Sequence, residues 1–187
     1  LSENEGRAFL VVKGFDLNFA SYMMTVSWIG YAIGCPLLGF LSDYFQRRKN
    51  MMVLSSFFNL VSITGIIFST NRFALIGAFF LLGLGASGQS IGFATIAEQF
   101  KRQFTSVAFG LNNGMITSIA AINAPILGWA LDYAKKLHYS ALFQYYIAFS
   151  ILIIIALLSC IFSIFFIKET FNKSYVDFTY LKTKMRY

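Results

Sequence analysis

Five long stretches without a charged side chain constrain this 187-residue sequence more than any other feature. They cover residues 17–42, 50–71, 73–97, 103–131 and 139–167. A helix needs about 20 apolar residues to cross the hydrocarbon core of a bilayer, and every stretch is long enough. Composition agrees. Hydrophobic residues make up 57% of the chain and charged residues 12%, whereas a soluble domain carries about 25% charged residues. The expectation is an all-α integral membrane protein of five transmembrane helices embedded in lipid.

Charge falls between the stretches, which explains the net charge of +7 without invoking nucleic acid. Alternate connections lie on opposite faces of the membrane. One face receives Arg7, Lys13, Arg72, Lys135 and Lys136. The other receives Arg47, Arg48, Lys49, Lys101 and Arg102, and then Lys168, Lys173, Lys182, Lys184 and Arg186 of the tail. Basic residues accumulate on the cytoplasmic side, so the carboxyl tail is expected inside and the Leu1 end outside. Three regions follow: an external linking segment over 1–16, a five-helix bundle over 17–167, and a basic cytoplasmic tail over 168–187.

The first fifteen residues mix acids, bases and polar groups, unlike a signal peptide with its basic start and apolar core. Because the sequence starts at Leu1 rather than Met, it is expected to begin inside something larger. The connections are too short for an extramembrane lobe. The single histidine, His138, sits in a connection, and Cys35 and Cys160 lie in different apolar stretches without metal-ligand spacing. No enzyme, metal or cofactor is therefore expected.

Small residues are distributed unevenly. Gly30/Gly34, Gly88/Gly92 and Gly110/Gly114 form GxxxG pairs in the first, third and fourth stretches, while the fifth has no glycine. Lipid gives helices little reason to hide Leu from Leu, so close approach through small residues supplies the packing. The glycine-rich helices are thus expected to face helices or a cavity, and the fifth to face lipid all round. PLLGFLSDY at 36–44 and PILGWALDY at 125–133 close the first and fourth helices. Three helices separate the copies, so they leave the membrane on opposite faces, the pattern of an inverted three-helix repeat.

Charge returns abruptly in GFLSDYFQRRK, residues 39–49. Its Gly39, Leu41, Asp43, Arg47 and Arg48 resemble the signature of the major facilitator superfamily. Tyr44 stands where that signature usually has a base and Gln46 where it usually has glycine, departures that suit the looser copy after the family's eighth helix. SWIGYAIGCPLLGFLSD resembles that eighth helix and LLGLGASGQSIGFATIAEQF the tenth. FGLNNGMITSIAAINAPILGWALD resembles the eleventh, FFIKET the end of the twelfth, and GRAFLVVKGFDLNFAS the segment leading out of the seventh.

The resemblance implies helices eight to twelve of a six-helix half-bundle, with a missing amino-terminal half as partner. It also implies alternating-access transport of a small-molecule substrate across a plasma or bacterial inner membrane. The alternative is a truncated or split-gene fragment with no transport activity of its own. The five signature residues would form a conformational latch, Asp43 pairing with a base of its own loop or with a helix amino end. Glu98 would form a structural ion pair beside Lys101 and Arg102. The family's eighth, tenth and eleventh helices line a central cavity, which makes Trp28, Gln89, Asn112 and Asn113 candidate contacts on the substrate pathway.

Overall fold

The computed structural model describes residues 4–171, so Lys173, Lys182, Lys184 and Arg186 of the basic tail lie outside the described residues. A short helix α1 (Asn4–Val12) precedes α2 (Leu17–Phe45), α3 (Arg48–Phe68), α4 (Arg72–Ala86), α5 (Gly88–Gln99), α6 (Thr105–Lys136) and α7 (Ala141–Phe165). Among the described residues, five helical spans are long and apolar enough to cross a membrane, and α4 with α5 makes up one of them. Each span coincides with one uncharged stretch.

Polar residues between the stretches start and stop the helices. Asp16 caps α2 by accepting from the backbone N–H groups of Asn18 (3.0 Å) and Phe19 (3.1 Å). Asn71 caps α4 through Phe73 N–H at 2.8 Å. Charge did not end α2 at once: the helix runs through Asp43 to Phe45, and only Gln46 and Arg47 separate it from α3. Gln46 stops it in the left-handed conformation at φ 51°. Gln46 N–H bonds Asp43 O (3.3 Å) and Arg47 N–H bonds Ser42 O (3.2 Å), the paired bonds of a Schellman cap. That conformation favours glycine, which accounts physically for the glycine usual at this place in the signature.

The third stretch breaks near its middle. Ser87 closes α4 through Gly83 O at 3.1 Å, and Ser90 N–H reaches back only three residues to Ser87 O. The sequence GLGASGQSIG around the break is rich in poor helix formers. The same glycines let the broken span sit between α2 and α3. A Cβ on Gly83 would lie 1.9 Å from Ser27 O, and one on Gly30 would lie 2.3 Å from Phe80 O. On the other side, a Cβ on Gly88 would meet Ser55 Oγ at 2.1 Å.

One expectation about packing needs correction. α7 is not lipid-facing all round: Ala148, Phe149, Leu152, Ala156 and Ser163 are buried along one face. Alanine and serine supply there the close approach expected from glycine, and the Ser163 hydroxyl meets that of Ser56 in α3 at 2.7 Å. A Cβ built on Gly110 or Gly114 of α6, in contrast, would meet nothing within 4 Å among the described residues. α6 buries only Leu127, Ala130 and Ala134 along its length. The segment before α2, expected only as a link, contributes α1, whose Phe9 and Leu10 are fully buried. Phe9 packs its ring against Tyr145, Tyr146 and Phe149 of α7, with centroids 5.0–6.2 Å apart.

Candidate functional site

The turn between α2 and α3 gathers the charges. α3 opens with Arg48 and Lys49, two cations at the positive end of a helix dipole, and Arg47 at its N-cap makes no side-chain cap bond. Such a start requires anions from elsewhere, and three carboxylates converge on it. Glu169, from the segment after α7, accepts from Arg48 N–H through Oε1 (2.8 Å) and from Lys49 N–H through Oε2 (3.2 Å). It therefore supplies the cap that α3 lacks.

The Arg48 side chain is the centre of the cluster. Its Nη1 lies 2.7 Å from Asp43 Oδ1 and donates to Ser42 Oγ at 3.1 Å. Its Nε and Nη2 both donate to Glu98 Oε1 of α5, at 3.0 and 2.8 Å. The Thr170 hydroxyl donates to the other oxygen, Glu98 Oε2. Arg48 and Glu98 side chains are 10% and 13% exposed, whereas that of Asp43 is 63% exposed. The guanidinium thus ties the end of α2 and the end of α5 to the start of α3, and the backbone N–H of the same residue ties in the segment after α7.

Of the five expected signature residues, the structure joins Asp43 and Arg48 directly. Arg47 lies beside them with its guanidinium 4.8 Å from the Phe171 ring centroid. A Cβ built on Gly39 would meet nothing within 4 Å among the described residues, and Leu41 is half-buried. Glu98 does form an ion pair, and its partner is Arg48 on α3. Ser42, Glu169 and Thr170 were not anticipated. The mismatch of two bases with a helix amino end was the available signal that a distant acid must come to α3.

The candidate substrate-path residues lie on three helices, Trp28 on α2, Gln89 on α5, and Asn112 and Asn113 on α6. Trp28 is exposed, its ring edge-on to Tyr31 at 5.9 Å. Gln89 and Asn112 are half-buried, and Asn113 is exposed. Among the described residues no hydrogen bond joins any two of these four. One amide in α6 escaped the sequence reading: Asn123 Oδ1 is buried and accepts no hydrogen bond.

These features define a helical membrane chain with a charged hub at one end of its bundle. The family model of the Major Facilitator Superfamily matches residues 9–177, and the chain belongs to that superfamily. It is similar to the inner membrane metabolite transport protein YhjE of Escherichia coli, 30% identical over 62% of this chain and 28% of that protein. An uncharacterized transporter of Rickettsia felis is 28% identical over 70% of this chain and 32% of its own length. The MFS transporter cpaT of Aspergillus oryzae is 29% identical over 54% of the chain and 21% of its length. The matched part spans under a third of each of these relatives. No solved structure matches the chain significantly.

Proposed function

We propose that this chain is the second half of a transporter that moves a small metabolite across a membrane by alternating access. The Arg48 hub is the observation that carries the reading. A bundle that rocks as a unit must keep its helix ends together while its surroundings change. Arg48 and Glu98 join α3 to α5, Asp43 adds α2, and Glu169 and Thr170 add the segment after α7. In this reading the hub holds one end of the bundle rigid, and the exposed Asp43 presents a charge at the seam with an amino-terminal half. The name of the E. coli relative supports a metabolite as the solute.

The same reading puts the hub and the carboxyl tail on the cytoplasmic side. It also takes α2 and α6 as inverted copies. Both contain an internal proline, Pro36 and Pro125, and both end at a left-handed residue, Gln46 and His138.

The test is uptake into vesicles by the transporter that contains this chain. Asp43→Asn keeps shape and removes charge, so membrane insertion should stay at the wild-type level. Uptake should fall about 5-fold or more, the size expected when one coupling contact biases a two-state equilibrium. Undiminished uptake would reject the latch and leave these charges a topological role. Insertion of the unaltered protein with no uptake of any metabolite would favour a membrane fragment without transport activity.

A further inference from the structure

We propose that Lys13 is a strap that fastens α1 to the end of the bundle opposite Arg48, making α1 a separately releasable element. The Lys13 ammonium donates to Ile66 O at 3.0 Å, Ile67 O at 2.8 Å and Ser69 O. An ammonium has three protons, and three carbonyls take them. Those carbonyls belong to the last turn and cap of α3, where helix geometry leaves acceptors without N–H donors and the dipole is negative. The helical cap bond there runs from Ser69 N–H to Gly65 O at 2.9 Å.

The strap is short and jointed. α1 ends in a Schellman cap at Gly14, where φ is +95°. Gly14 N–H bonds Val11 O and Phe15 N–H bonds Leu10 O, both at 3.0 Å. Nothing lies within 4 Å of a Cβ built on Gly14, so the joint is sterically open. On its near side Lys13 passes over the Phe9 ring, 5.1 Å from the centroid. The Asp16 carboxylate is engaged at the start of α2, and Lys13 forms no ion pair among the described residues. Two contacts therefore hold α1: the buried pair Phe9 and Leu10 against the bundle, and the Lys13 ammonium on α3. The first is non-directional, whereas the second fixes α1 in one place and opens by rotation of a single side chain.

Amide hydrogen exchange of the full chain in lipid nanodiscs, read by mass spectrometry, tests this. In Lys13→Met the amides of α1 should exchange about tenfold faster or more, because a local element opens without the rest. Exchange in α7 should stay at its wild-type rate. Lys13→Arg keeps the charge but spreads its donors over a planar fork, so α1 exchange should rise less than in Lys13→Met. Unchanged α1 exchange in Lys13→Met overturns the proposal. So does equal acceleration in α1 and α7, which would make Lys13 an ordinary stabilising residue. So too does Lys13→Arg behaving like Lys13→Met.

Discussion

Arg48 holds two carboxylates of very different exposure, and that difference separates what each pair contributes. The Asp43 side chain is 63% exposed, so its pair sits in high dielectric and is worth under about 1 kcal/mol. Glu98 is 13% exposed and takes two guanidinium N–H groups. Removing one partner of so enclosed a pair leaves the other uncompensated, at a cost of about 3–5 kcal/mol. Arg48→Gln should therefore lower the thermal midpoint of the purified chain clearly, and Asp43→Asn should barely move it. Equal shifts would show that the exposed pair contributes as much as the enclosed one. The residue type at 43, 47 and 48 was legible because the signature is local. Glu98 and Glu169 were not legible as partners, since 50 and 121 residues of chain separate them from Arg48 and only the packing of α3 closes that gap.

At the scale of the element, α3 is held at both ends by charges that its own sequence does not provide. Glu169 places an anion at the amino end and Lys13 a cation at the carboxyl end, each complementing the helix dipole. All five spans were legible from the spacing of charges. Their packed faces were less so, because GxxxG marks close approach without naming a partner. Gly83 and Gly77 show the difference within one helix. A Cβ on Gly83 would strike the α2 backbone at 1.9 Å, whereas one on Gly77 meets nothing within 4 Å. Gly83→Ala must separate α2 from α4 and should cost about 1–3 kcal/mol. Gly77→Ala should stabilise α4 by up to about 1 kcal/mol through helix propensity. Reversible unfolding in mixed micelles measures both, and loss of stability at Gly77 would mean that its open side is occupied in the membrane.

For the whole molecule, the unevenness of burial matters most. The apolar window of the α4–α5 span is 50% buried inside this chain, while that of α6 is 11% buried. α6 carries the Gly110/Gly114 pair, yet a Cβ on either glycine would meet no other described residue within 4 Å. Small residues earn their place in a membrane helix by allowing another helix to come close, and lipid makes no such demand. The proposed second bundle fits this observation if α6 packs on the amino-terminal half during part of the transport cycle. Replacing both glycines with leucine separates the two interpretations. Leucine is the better helix former, so the thermal midpoint of this chain alone should hold or rise. In the proposed two-bundle transporter, two bulky side chains at a close interface should cut uptake about tenfold or more, on the scale of a 1.4 kcal/mol bias per factor of ten. Normal uptake with a raised midpoint would assign the small-residue face of α6 to lipid. A lowered midpoint would reveal a contact within this chain that the open space around Gly110 and Gly114 denies.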